Sequence, residues 1–376
     1  MTGTAGPTPH VVRLEGEADA VVATPVCELG CAASLLKRHG VEAVSEVIGA
    51  EWSLEIATRR MTTVPQRFAE RSDVALSAQG TGWRSVMERV TGVTVTDASA
   101  TRDDYPNAVA EAHAGGGALL LVDDAAVPWL TYAQANPGLL PHGLAVHRLR
   151  PQREGTEIEV VEGQSWWAGV YALPIAVLLS AAFPEHDVHG LSGRYFRFDT
   201  YGLRAAPDRL AAATEALGHS AARTGALDGR PARIQDTPFG TLTVHTGALA
   251  AAAGFQEYGN LRYVCELAAL DGKEGDAARD YQFGRYAFFR LAEELAFTAY
   301  ARAASAALLR RVRVRGDGTH AAVDEAVTRW RRLWKAAEVL AARPAHEHLD
   351  RVLAGWEGAT VADGVAARAV ADALSP

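Results

Sequence analysis

Apolar positions Cys31, Ala32, Leu35 and Leu36 recur at helical spacing until Gly40, which closes the segment as a C-cap does. Thr24 suits an N-cap and Pro25 the first helical position, so a helix is predicted to carry Cys27 in its first turn. Residues 11–22 read as a strand or an ordered approach to that helix. From 41 to 100 the periodicity is mixed: 44–56 has near-helical spacing, 83–91 is a short helix between Gly82 and Gly92, and 93–98 alternates as a strand. A helix then ends on Gly115, Gly116 and Gly117, and the apolar run 118–122 reads as a buried strand. After a proline-bearing loop, a hairpin is predicted from about His142 to Val161, turning near Glu154 and Gly155.

A boundary is expected between 175 and 195, where an apolar stretch passes into a loop with Gly190, Gly193, His186 and His189. Beyond it the chain reads as mostly helical, with segments at 208–224, 246–272, 284–312 and 323–344. The expectation is therefore two domains, 1–180 and 181–376, with no internal repeat.

Composition narrows the function classes. The 376 residues carry a formal net charge of −8, which argues against nucleic acid or an anionic membrane surface as the main partner. No run of about eighteen apolar residues predicts a membrane span, and the first residues lack a basic segment followed by an apolar run. Cys27, Cys31 and Cys265 make no disulfide framework and have no second ligand pair at zinc spacing, so a reducing cytoplasm is the expected location. His186 and His189 have ligand-like spacing without acidic or cysteine partners, and no metal is expected.

The candidate chemistry lies in the first half. A cysteine opening a helix meets backbone N–H groups without intrahelical partners and the positive end of the helix dipole, which favour a thiolate and an oxyanion beside it. The plainer reading of a lone cysteine is a small buried hydrophobe. Cys31, one turn deeper, lacks those N–H groups. If the hairpin arms pair antiparallel, His142 at the start of one arm and Glu162 at the end of the other become neighbours, as a base and its orienting carboxylate must be. His147 competes with His142, but five residues along a strand place the two on opposite faces. Gln164 is a second candidate to orient the ring or to donate to an oxyanion. Trp129, Trp166, Trp167 and Tyr171 are candidates to pack the sheet or to line a substrate channel. Arg285, Arg290, Arg310 and Arg311 read as solvated helix faces or as contacts for a phosphate.

The segment from Cys27 to Gly40 resembles the nucleophile helix of papain-like and C39-type cysteine peptidases, and more closely the N-terminal domain of the butirosin-biosynthesis acyltransferase family. Asp123, Pro128 and Trp129, followed by His142 and then an acidic residue, also resemble that family, whose last position is more often Asp than Glu162. The resemblance extends loosely to the helical half through the segment 283–295. It implies an α+β fold: a papain-like domain with an antiparallel sheet and a nucleophile helix, followed by a helical domain serving as lid or dimerisation surface. It implies an acyltransferase with a Cys27, His142 and Glu162 site, moving an acyl or aminoacyl group from a carrier-protein thioester to an amine, between molecules or by cyclisation, in antibiotic or other specialised-metabolite biosynthesis. No resident cofactor is implied; the phosphopantetheine arm of an acyl or peptidyl carrier protein presents the substrate, and a small-molecule amine accepts it. Papain-like enzymes place a Gln before the nucleophile for the oxyanion; here Val21, Val22 and Ala23 occupy that region, leaving the backbone N–H groups of Cys27 and Glu28. The rival readings are a peptidase or amidase with water as acceptor, and a binding or scaffold protein with an inactive site. A homodimer through the apolar helices is compatible with each.

Overall fold

The computed structural model describes residues 11–52, 55–59, 83–130, 141–152, 155–185, 190–226, 233–237, 240–246 and 275–375. In chain order the strands are β1 (Val12–Leu14), β2 (Glu55–Arg59), β3 (Thr94–Ser99), β4 (Gly116–Asp123), β5 (Pro141–Gln152), β6 (Gly155–Glu162), β7 (Gly169–Pro174), β8 (Arg194–Asp199), β9 (Arg233–Thr237) and β10 (Gly240–Thr246). The helices are α1 (Cys27–Lys37), α2 (Trp83–Thr91), α3 (Tyr105–Ala114), α4 (Ile175–Ala182), α5 (Ala206–Ala226), α6 (Gly275–Arg311), α7 (Asp317–Ala342) and α8 (His346–Leu374). The fold is α+β, with an antiparallel sheet and a helical C-terminal region.

The chain forms two compact units, Met1–Ala43 with Thr91–Arg204, and Val44–Val90 with Ala205–Pro376. This differs from one cut near residue 180. Strand β8 pairs with β4 and β3, which ties the chain to the first unit as far as Arg204. Residues 44–90 pack with the helical unit.

In the first unit the strand order is β1-β7-β6-β5-β4-β8-β3, every pair antiparallel. Side chains alternate across the sheet and give it two different faces. Ala118, Leu120, Val122, Leu144, Val146, Ile158 and Val160 form one core with Tyr105 and Val109 of α3 and Leu178 of α4. The opposite parity carries Gly117, Gly143 and Gly163, and there α1 lies on the strands. A Cβ on Gly117 would meet Leu35, one on Gly143 would come 2.9 Å from Glu28 Cγ, and one on Gly163 would come 2.4 Å from the Cys31 amide nitrogen. The helix is therefore seated by glycines, backbone against backbone.

The second unit contains the sheet β2-β10-β9 and the long helices α6, α7 and α8. Phe288, Leu291 and Leu295 of α6, Trp330, Leu333, Ala337 and Leu340 of α7, and Leu349, Val352, Trp356 and Ala359 of α8 follow a three-four spacing and share one core. Within it Arg302 makes a two-pronged ion pair with Asp363, at 2.6 and 2.8 Å, and Trp330 Nε1 donates to the same carboxylate at 2.9 Å. The Trp52 ring covers the guanidinium at 4.5 Å.

Several expectations change here. The helical reading of 44–56 holds only for a π-helical turn, Val44–Ile48, before β2 begins at Glu55. The reading of the chain beyond 195 as mostly helical misses β8, which pairs with the distant β3 and β4, and the β9–β10 pair, of which β10 also pairs with the distant β2. Residues 247–272 lie outside the described residues, as do His186, His189 and Cys265. Among the described residues no helix is long and apolar enough to cross a membrane.

Candidate active site

The first turn of α1 is set by a bridge that precedes it. Thr24 N donates to Gly163 O at 2.9 Å, and Ser165 N to Thr24 O at 2.8 Å, so Thr24 runs parallel to Gln164. Its hydroxyl folds back onto Val26, accepting from Val26 N at 3.2 Å and donating to Val26 O at 2.6 Å. Thr24 is therefore not the N-cap: held extended by this bridge, it leaves Val26 as the cap and Cys27 as the first helical residue. The first helical hydrogen bond is Gly30 N to Val26 O, at 3.0 Å. The first amides of α1 have no intrahelical acceptor, and the cap residue Val26 has no side-chain oxygen to offer them. Arg38 caps the other end, two residues before Gly40, whose φ of 70° requires the left-handed conformation.

The site forms at the end of the sheet where β4 stops, β5 starts and β6 stops. His142 stands opposite Val122, and Glu162 is the last residue of β6. Both share the strand parity of Val122 and Val160, whereas α1 lies on the other face. Thiol and imidazole meet around the end of the sheet, where Gly143 and Gly163 place no side chain between strand and helix. His142 Nε2 lies 2.6 Å from Glu162 Oε2, which leaves Nδ1 for the Cys27 hydrogen bond. The structure thus brings Cys27, His142 and Glu162 together in one relay. His142 is 3% exposed and Glu162 0%, while Cys27 is half-buried.

Three donors hold the Glu162 carboxylate. Besides His142, Trp129 Nε1 donates to Oε2 at 3.0 Å and the Gln164 amide donates to Oε1 at 2.8 Å. Gln164 thus takes part through its backbone. Trp129 stacks on Tyr171 at 4.0 Å and 10°, and the Tyr171 hydroxyl donates to Trp167 O at 2.8 Å. Three of the four aromatic candidates therefore brace the carboxylate or its support. Trp166 meets Trp167 edge-on and is 42% exposed.

Burial alone would push the His142 ring toward its neutral form. Glu162 and Cys27, each also hydrogen-bonded to it, outweigh that and lift its pKa well above the ordinary value. Cys31 is pushed the opposite way from a nucleophile. Its buried thiol, donating to Gly143 O at 3.3 Å and Val161 O at 3.2 Å, has its pKa raised by desolvation and by the Glu162 charge.

Distance along α1, not face parity, separates His147 from Cys27. A β-bulge between Val146 and Arg148 leaves it unpaired in the ladder. Its Nδ1 lies 2.6 Å from Arg38 Nη2, at the far end of α1, about 16 Å along the helix from Cys27. Arg310 pairs with Asp324 and Arg311 with Glu46, at 2.6 and 2.9 Å; the side chains of Arg285 and Arg290 lie outside the described residues.

No family model matches the chain, and no curated protein matches its sequence. The site must therefore be read from its own geometry. Sequence reasoning passed over two of its features. One is the glycine that follows each polar member of the relay, in the dipeptides His142-Gly143 and Glu162-Gly163. The other is Asp124, a buried acid next to the family-like Asp123, whose own side chain accepts from Ala125 N at 3.0 Å.

Proposed function

We propose that the chain is a cysteine-dependent acyltransferase: it takes an acyl or aminoacyl group from a carrier-bound thioester onto Cys27 and delivers it to an amine. The observation that carries this reading is the Cys27, His142, Glu162 relay, with three hydrogen bonds fixing the carboxylate. The Cys27 thiolate attacks the thioester carbonyl, and the backbone of the opening turn of α1, at Cys27, is the candidate to stabilise the developing oxyanion. The bond to the carrier sulfur breaks, and imidazolium His142 gives its proton to the departing thiolate. Neutral His142 then takes a proton from the attacking amine as the bond to Cys27 Sγ breaks, restoring the ion pair.

The test is intact-protein mass spectrometry of the wild type and Cys27→Ala, each mixed with acyl and aminoacyl carrier-protein thioesters without an acceptor. A mass gain confined to the wild type is expected. Thioesters left intact by both proteins would overturn the reading. Thioesters consumed without a lasting adduct would favour hydrolysis.

A further inference from the structure

The relay has a carboxylate neighbour that the mechanism above does not use. Asp124 follows the last residue of β4, in a short 3-10 turn, Asp124–Ala126. The register opposes Val122 to His142, and Asp124 follows in the turn just beyond β4, at the strand end that carries the imidazole. The two interact electrostatically. Asp124 is 2% exposed, and its Oδ1 takes no hydrogen bond among the described residues. The rest of the carboxyl shares a hydrogen bond with Asp123, whose own Oδ1 receives the Ala125 amide. A buried carboxyl oxygen left without a donor is costly unless a ligand supplies one. Asp124, at 2% exposed, is about as enclosed as His142 at 3%, so both carboxyl and ring are approached from the half-buried Cys27 side.

We propose that Asp124 is the acceptor subsite: its open carboxylate oxygen binds a primary ammonium group and takes its proton, presenting the neutral amine to acyl-Cys27. The inference rests on the acyl-transfer reading and adds the class of acceptor. An ammonium must lose two protons to become an amide. The first goes to Asp124, the amine nitrogen then bonds to the acyl carbon, and the second goes to neutral His142 as the carbon–sulfur bond breaks. Asp124 afterwards releases its proton to solvent. Burial raises the Asp124 pKa to about 7, with the Asp123 charge adding to the rise and His142 opposing it. A carboxylate of that basicity is matched to proton transfer at neutral pH, where an ordinary one is too weak a base.

Two measurements test this. In transfer from acyl-Cys27 at pH 7, Asp124→Asn should slow n-propylamine, which is protonated, at least 30-fold more than hydroxylamine, which is already neutral. An equal slowing of both acceptors, or none, would overturn the assignment. Transfer to hydroxylamine also reports that the variant is folded. The second measurement uses Cys27→Ser, which lacks the thiol: n-propylammonium binding, followed by NMR titration, should weaken at least tenfold when Asp124→Asn is added. Unchanged binding, or none in either protein, refutes the subsite. Should the wild type never become acylated, the acyl-transfer reading falls and the binding titration still decides the ammonium site.

Discussion

The seat of α1 on the sheet can be tested by adding one methyl group. Gly163 does not have a positive φ, so alanine there brings no backbone strain and the effect is one of space. Its Cβ would lie 2.4 Å from the Cys31 amide nitrogen and 2.4 Å from the Gly30 carbonyl carbon, where ordinary contact starts near 3.4 Å. Both neighbours are helix backbone and cannot swing aside, so α1 and the end of β6 must part by roughly 1 Å, at the usual overpacking cost of about 1–3 kcal/mol. Cys27 is one turn from that contact and Glu162 is the adjacent residue, so the same displacement opens the relay. A misplacement of about 1 Å costs on the order of 100-fold in rate. Gly318→Ala is the control, since a Cβ at that helical position meets nothing within 4 Å, and it should stabilise by about 0.5–1 kcal/mol. Urea unfolding reads the stability, and mass-spectrometric iodoacetamide kinetics at Cys27 read the site. Gly163→Ala with unaltered unfolding and unaltered Cys27 alkylation would refute the close-seating argument.

Glu162→Gln removes the largest influence raising the His142 pKa, so the imidazolium should lose its proton at lower pH; an NMR titration should show this, together with a loss of transfer of about 100-fold or more. Trp129→Phe keeps the stack on Tyr171 but deletes one donor to Glu162, and roughly a tenfold fall in kcat with little change in KM is expected. Asp124 is an acid with a raised folded pKa, so the folded state binds the extra proton; stability should fall as pH rises from about 4 to 7 and stay reduced above, by on the order of 4 kcal/mol at most. The stability advantage of Asp124→Asn over wild type should therefore grow across that window in urea unfolding, and a pH-independent difference would contradict the burial argument. Asp363→Ala leaves Arg302 buried without its carboxylate and should cost about 3–5 kcal/mol in the same assay.

The elements legible in the sequence were those whose pattern is local. The apolar run of β4, the alternation of β3 and the paired arms of β5 and β6 all show in their own residues. Strand β8 does not, because its signal, Arg194–Asp199, is short and follows a glycine- and histidine-bearing loop. Only insertion between β4 and β3 makes it a strand. Strands β9 and β10 are polar and brief; β9 pairs with its neighbour β10, and β10 completes the sheet by pairing with β2 across a long stretch of chain. The division into units was hidden for the same reason, since residues 44–90 leave the first unit and the chain returns to it.

The site divides along the same line. Cys27, His142 and Glu162 could be named because a helix start and two hairpin ends are local features, and antiparallel pairing then fixes which ends meet. Face parity said only that one of His142 and His147 can meet Cys27; the structure separates the two histidines by a bulge and by the length of α1. The supports of the relay are non-local. Trp129 reaches Glu162 across thirty-three residues, and no periodicity encodes an indole N–H placed for a carboxylate. The glycines had a signal that becomes readable once the faces are known: His142 and Glu162 share one parity, so the residue after each points at the helix and must be small for Cys27 to come around the sheet end. Asp124 had one as well. A buried strand that ends in two consecutive acids next to a histidine-led strand gives the two acids different roles. Asp123 caps the turn that follows, while Asp124 stays enclosed with an open oxygen beside the base. A carboxyl kept there against its desolvation cost points to a cationic partner, and under the acyl-transfer proposal that partner would be the amine.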